Sequence, residues 1–220
     1  MIKININDNG FHHIKNNFFN LNNEIISEFT KIYQANLNVR AEQNTAIISD
    51  LNELKKFKIK NKIFEKIIKI LEFNNFDNTE FYDVWFVHSN KNIYKENKLP
   101  YIPHIDKIRK FKVMVYLNEV EIENGPIHFA KVNPNKYENF RKKLNKDYKF
   151  KQENEIKNIK ISEYKPLLGE FGTTIFFDTN TPHFAGKIEK NLIERKVIRF
   201  NFILKNKKNL FKNFFKFNNN

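Results

Sequence analysis

Apolar residues recur at helical spacing in two early segments and alternate in strand fashion through most of the remaining chain. In Glu24–Tyr33, Ile25, Phe29, Ile32 and Tyr33 fall on one helical face, with Asn22-Asn23 just before. A second helix is predicted from Ser49-Asp50-Leu51-Asn52-Glu53, where Asp50 and Glu53 have capping-box spacing, to about Phe73. Its apolar face is Leu54, Phe57, Ile63, Phe64, Ile67, Ile68 and Leu71, and the intervening lysines take the solvated side.

From Glu80 the period becomes two. Phe81–His88 is rich in aromatic and branched residues, which suit a pleated surface. Phe111–Leu117 places Phe111, Val113, Val115 and Leu117 on one face and Lys112, Met114 and Tyr116 on the other. In Arg195–Leu204, Ile198, Phe200 and Phe202 oppose Arg195, Val197, Arg199 and Asn201. Shorter strands are predicted at Phe11–Lys15, Ile127–Ala130 and Thr173–Asp178, with turns at Asn9-Gly10, Glu123–Pro126, Leu168–Gly172 and Thr179–Pro182. Residues 133–162 read as a Lys-rich surface excursion with some helix near Lys136–Leu144, and the sequence leaves open whether it forms a lid. Many short strands after two helices predict a mainly β fold with flanking helices, a jelly roll.

With 220 residues, one domain is the expectation: a helical flank over 1–75, a jelly-roll core over 80–204 and a basic tail over 205–220. A short helix docked on the domain or a frayed end is the expected state of that tail, ahead of a membrane-surface segment. The absence of cysteine excludes disulfides, thiolate metal sites and a Cys nucleophile, leaving His and carboxylate as the strong ligands. No long apolar run and no signal-peptide core are present, so a soluble, cytoplasmic protein without a transmembrane segment is expected. The net charge of +14 by itself points toward polyanions. Its lysines are dispersed, however, and Lys, Asn, Ile and Phe are enriched together as in an AT-rich genome, so nucleic acid is not the expected partner.

Candidate chemistry centres on Pro103-His104-Ile105-Asp106. In an extended strand His104 and Asp106 point to one face and can offer an imidazole nitrogen and a carboxylate oxygen to one ion. His183, after a strand and a turn, is the third candidate ligand, and two His with one carboxylate match the facial triad of non-haem Fe(II) oxygenases. Six His and 25 acidic residues make a His-x-Asp/Glu triplet common by chance, so its context carries the weight. His12 and His13 are adjacent and point to opposite faces, which suits strand packing, and His88 and His128 read as structural. Arg195 and Arg199 share a strand face where burial is costly without an anion.

Together these residues resemble the phytanoyl-CoA dioxygenase-like branch of the Fe(II)/2-oxoglutarate oxygenases. The resemblance runs from the Gly10-Phe11-x-x-Ile14 opening through His104-Ile105-Asp106, Tyr116–Val120, Asn124-Gly125-Pro126 and Gly172–Asp178 to Pro182-His183, Gly186 and Arg195–Ile198. It implies a double-stranded β-helix of the cupin-like, jelly-roll kind. It implies that His104, Asp106 and His183 bind Fe(II), and that Arg195 grips the distal carboxylate of 2-oxoglutarate, with Arg199 as the fallback. Asp106 speaks against a halogenase, since such enzymes lack that carboxylate. The chain departs from the family in reading Ala130-Lys131-Val132-Asn133 where Gly-Ser-His is usual after the fourth core strand. The implied activity uses Fe(II), 2-oxoglutarate and O2 to hydroxylate a small metabolite, releasing succinate and CO2. Lys112, Tyr116 and Arg199 are the candidate substrate contacts, and Lys112 or Arg199 in the pocket would favour a carboxylated or phosphorylated substrate. Two other classes stay open: a non-catalytic basic jelly roll binding nucleic acid or anionic membrane, and a metal-dependent isomerase or epimerase that does not use 2-oxoglutarate. Oligomeric state is not legible.

Overall fold

The computed structural model describes residues 2–35, 37–40, 43–76, 78–91, 98–144 and 153–204, with the side chains of 37–40, 43 and 44 left aside. In chain order the strands are β1 (Phe11–Ile14), β2 (Leu37–Arg40), β3 (Gln43–Ile48), β4 (Thr79–Asn90), β5 (Lys110–Tyr116), β6 (Ile127–Ala130), β7 (Tyr164–Pro166), β8 (Thr174–Asp178), β9 (His183–Ala185) and β10 (Glu194–Leu204). The helices are α1 (Asn23–Ala35), α2 (Leu51–Leu54), α3 (Glu65–Phe73) and α4 (Glu138–Lys143). The strands form a seven-stranded sheet in the order β1-β8-β5-β10-β4-β3-β2 and a three-stranded sheet in the order β7-β6-β9, every pair antiparallel. Isolated pairing of His104 with His183 on one side and Glu155 on the other extends the small sheet. Two facing sheets with helices packed outside the larger one make a jelly roll, as the alternation predicts.

Strand parity decides which residues build which layer. Val113, Val115, Ile198, Phe200 and Phe202 point away from the small sheet and merge into one core with Ile25, Phe29, Ile32, Ile63, Ile67 and Leu71 of the helices. Each such side chain contributes about 1.5–3 kcal/mol on burial. Their alternates Met114, Tyr116 and Val197 pack with Ile127, Phe129, Ile175 and Phe177 between the sheets. Gly125 closes the turn into β6 with φ of 63°, and a Cβ there would stand 2.4 Å from the Gly186 carbonyl oxygen. Only glycine permits that approach between the segments flanking β6 and β9.

Three expectations change. The helix predicted from Ser49 to Phe73 is broken: α2 ends at Leu54, and a π-helical turn (Lys60–Phe64) leads into α3. The cause lies outside the segment, since the Glu28 carboxylate of α1 accepts from the Lys58 and Ile59 amides at 2.8 Å each, satisfying the start of a new helix. β2 and β3 add two strands to the large sheet from a region with no clear period, and β7 adds a third to the small one. Finally, the excursion over 133–162 is not wholly superficial. Its start forms a 3₁₀ turn (Pro134–Tyr137) and α4, as the sequence indicates, but Asn154 and Ile156 are buried. The Ile105 amide donates to the Asn154 carbonyl (3.2 Å) and the Ile156 amide to that of Pro103 (2.8 Å). Hydrophobic periodicity cannot announce such a pairing across 50 residues. The basic tail (205–220) lies outside the described residues, as does the centre of the loop before Pro100.

Candidate metal centre

Main-chain pairing brings His104 and His183 together. Their amides and carbonyls exchange hydrogen bonds of 3.0 and 2.9 Å, and their rings lie 4.5 Å apart between centroids. Asp106 is set by its own amide, which donates to the Thr179 carbonyl at 3.0 Å. Upstream of His183, Asp178 accepts from the Asn180 amide (2.8 Å) and is held bidentately by Arg109 through Nε at 2.9 Å and Nη2 at 2.5 Å. The turn that delivers His183 is thereby anchored to the strand that follows Asp106.

The three donor atoms converge. Asp106 Oδ1 lies 3.9 Å from His104 Nε2 and 3.8 Å from His183 Nε2, and all three atoms are within 4.8 Å of one another. Each Nδ1 sits 2.7 Å from a carbonyl two residues earlier, Ile102 for His104 and Thr181 for His183. A carbonyl only accepts, so Nδ1 carries the proton and the Nε2 lone pairs face the common point. Burial pushes both imidazole pKa values down, to about 3 for His183, which keeps them neutral and able to ligate. For Asp106 burial alone would raise the pKa, but the Lys112 ammonium and the two imidazoles outweigh it and hold the carboxyl below the usual carboxylate range. Lys112 Nζ binds Asp106 Oδ2 at 2.6 Å, leaving Oδ1 turned toward the imidazoles. Two neutral imidazoles and one ionised carboxylate are a donor set suited to a divalent first-row metal.

This group opens into a cavity of about 360 Å3 between the sheets. The β10 face read from alternation lines it: Arg195, Val197, Arg199 and Asn201. Arg195 is 6% exposed, its Nη1 has no hydrogen-bond partner, and no described carboxylate pairs with it. Burial lowers its pKa, and only Tyr116 and Tyr101 act against that. Such a guanidinium is expensive to bury and fits the carboxylate of an anionic ligand. Arg199 lies against the indole of its cross-strand neighbour Trp85, with Cζ 4.3 Å from the ring centroid.

Of the candidate contacts, Lys112 faces the cavity at 7% exposure. Tyr116 does not: it is fully buried and its hydroxyl donates to the Leu167 carbonyl at 2.8 Å, behind the lining. His88 meets Glu194 at 2.7 Å and His128 stacks on Phe184, and neither lines the cavity. Reading by sequence misses Thr45, Trp85 and Asn154, which also line the cavity. Trp85 had a usable signal, because it shares strand parity with Asp83 and Val87.

The fold is found among solved proteins. EvdO2 from Micromonospora carbonacea var. aurantiaca, crystallised with 2-oxoglutarate, superposes with a TM-score of 0.62 at 11% identity over 90% of this chain and 88% of its own. SnoN, an α-ketoglutarate-dependent epimerase from nogalamycin biosynthesis, gives 0.60 at 14% identity over 90% and 80%. SnoK, a carbocyclase from the same biosynthesis, gives 0.57 at 12% over 90% and 80%. The chain shares their fold. No protein-family model and no curated protein matches the sequence. At such identities the likeness is one of architecture, and what the site does is argued from its own residues. Among the described residues no helix is long and apolar enough to cross a membrane.

Proposed function

We propose that the chain is a non-haem Fe(II)- and 2-oxoglutarate-dependent dioxygenase that hydroxylates a small metabolite with release of succinate and CO2. The observation that carries this reading is the unpaired, buried Arg195 in the same cavity as the His104–Asp106–His183 donor set. A metal site alone fits many reactions, whereas a metal site facing an unpaired buried guanidinium calls for an anionic co-substrate. The fold shared with a protein crystallised with 2-oxoglutarate supports that choice of anion. The phytanoyl-CoA dioxygenase-like branch rests on the motif order quoted above, and the helices of 1–75 count as part of one catalytic domain because a single core joins them to the sheet.

In this reading His104, Asp106 and His183 hold Fe(II), and Arg195 receives the distal carboxylate of 2-oxoglutarate through its planar fork. Bound together, Fe(II), 2-oxoglutarate and O2 supply the oxidising chemistry, one oxygen atom leaving in succinate and the other entering the substrate. The chain positions and excludes. The Ile102 and Thr181 carbonyls fix both imidazole tautomers, Lys112 orients Asp106, and Val87, Met114, Phe177 and Val197 keep water from the cavity walls.

The test is succinate formation from 2-oxoglutarate under air with Fe(II), with and without small acids as substrates. Wild type should form succinate, and Asp106→Ala and His183→Ala should not. A product heavier by one oxygen atom marks hydroxylation, whereas an unchanged mass marks epimerisation. Turnover of a substrate without 2-oxoglutarate contradicts the proposal, and salt-dependent DNA binding without iron binding points instead to a basic binding protein.

A further inference from the structure

Arg199 has no task in the proposal above, yet it is as conspicuously unpaired as Arg195. Its Nε has no hydrogen-bond partner, and the two carboxylates that attract it are engaged elsewhere: Asp106 binds Lys112, and Asp83 accepts from the Asn201 amide. Residues four apart along a strand are separated by about 13 Å. Arg199 stacks on its cross-strand neighbour Trp85, two levels of the wall from Arg195, so the two guanidinium groups offer two anion contacts.

Two more orphaned polar atoms belong to residues lining the cavity, Thr45 Oγ1 and Asn201 Oδ1, both buried and without partners. Asn201 lies two residues on from Arg199 along the same face of β10, and Thr45 stands on β3 opposite Val87, one level toward Arg195. Because Asn201 spends its amide nitrogen on Asp83, its carbonyl oxygen is left as an acceptor, while the Thr45 hydroxyl can donate. The lysines at the cavity mouth are occupied differently: Lys107 faces Glu153 at 4.0 Å, and Lys110 lies over the Tyr82 ring.

Charge makes the class narrower. Arg195, Arg199, Lys107, Lys110 and Lys112 are positive, and Asp106 is the one carboxylate among the described lining residues. Even with Glu153 facing Lys107 and Asp83 beside Asn201, the wall keeps surplus positive charge. A divalent iron and the 2-oxoglutarate dianion cancel each other and leave that surplus in place. Uncompensated charge in a desolvated cavity is costly, and the second reactant can remove the cost.

Resting on the 2-oxoglutarate reading, we infer that the substrate is a small molecule with an oxyanionic group, a carboxylate or phosphate ester, beside a hydroxyl or amine. Arg199 binds the oxyanion, and Asn201 Oδ1 accepts from the neighbouring donor. Arg199 is thus the specificity residue of the site.

Trp85 is the chain's one tryptophan and touches Arg199, so its fluorescence reports directly on this position. Protein loaded with Fe(II) and 2-oxoglutarate under argon would be titrated with glycolate and glycolamide, and with glycerol 3-phosphate and glycerol, while visible absorption follows the iron–2-oxoglutarate chelate. Glycolate or glycerol 3-phosphate should change Trp85 emission saturably and its neutral counterpart should not, the responding member of the two telling carboxylate from phosphate. Arg199→Gln should weaken that response about tenfold or more, and Arg199→Lys should restore part of it, with the chelate intact in both. An intact chelate with no response to either anion overturns the inference and leaves the co-substrate reading standing. Loss of the chelate in Arg199→Gln and Arg199→Lys also overturns it, by assigning Arg199 to 2-oxoglutarate. Absence of the chelate in wild type overturns both readings.

Discussion

The two faces of β5 and β10 come from the same strands and are satisfied in opposite ways. Toward the helices, Val113, Val115, Ile198, Phe200 and Phe202 are fully buried among other apolar side chains. Toward the small sheet, Lys112, Arg195, Arg199 and Asn201 alternate with Met114 and Val197, and several of their polar atoms have no partner in the protein. The first face is complete as it stands. The second is complete only with ligands, and that difference separates residues that hold the fold from residues that give it a task.

Substitutions on each face should therefore fail in different assays. The largest effect is expected for His183→Ala, which should lower affinity for Fe(II) about 100-fold or more, measured by equilibrium dialysis, while leaving the unfolding midpoint of the metal-free protein close to wild type. On the helix-facing side, Phe200→Ala should cost about 3–5 kcal/mol in urea unfolding and leave Fe(II) binding unchanged while the protein remains folded. Arg195→Met should show the reverse pattern: about 1 kcal/mol of added stability in the ligand-free protein, because a buried unpaired charge is removed, together with about tenfold or greater loss of 2-oxoglutarate affinity. A destabilised Arg195→Met variant would mean that the guanidinium is paired in solution, and the contrast between the faces would fail.

Lys112→Met sharpens the comparison through pH. Lys112 opposes the upward push of burial on Asp106, so its removal should raise the carboxyl pKa. Protonated Asp106 cannot ligate, and metal should dissociate at a higher pH in the variant than in wild type, as followed by pH-jump dialysis. The smallest effect belongs to a residue outside the cavity. Burial, reinforced by Lys15 and Lys165, lowers the His13 pKa to about 4 from 6.5. Its neutral form is favoured on folding, so the stability it contributes is present above about 6.5 and lost as pH falls toward 4. His13→Phe should flatten that part of the stability profile, read as the thermal midpoint across pH.

What could be read from sequence follows the same division. Long alternating strands such as Phe111–Leu117 and Arg195–Leu204 announce both their faces, because apolar and polar positions differ at every step. His104, Asp106 and His183 are legible as a group because two of them share a strand and metal chemistry limits which residues can join them. β2 and β3 are hidden because Asn, Gln and Thr in Leu37–Ile48 give no period. The break before α3 depends on Glu28, a residue 30 positions away, and the role of Asn154 depends on pairing with Ile105 across 49. Tyr116 shows a limit of parity itself: it names a face, whereas depth within that face depends on the opposite sheet.

Absorption of the anaerobic Fe(II) protein on addition of 2-oxoglutarate, compared among wild type, His183→Ala and Arg195→Ala, tests the central claim most directly. The account predicts a visible charge-transfer band in wild type, its loss in His183→Ala and a much weaker band in Arg195→Ala at the same 2-oxoglutarate concentration. Wild-type protein that binds no iron, or binds it and gives no band with 2-oxoglutarate, would contradict the assignment of this cavity.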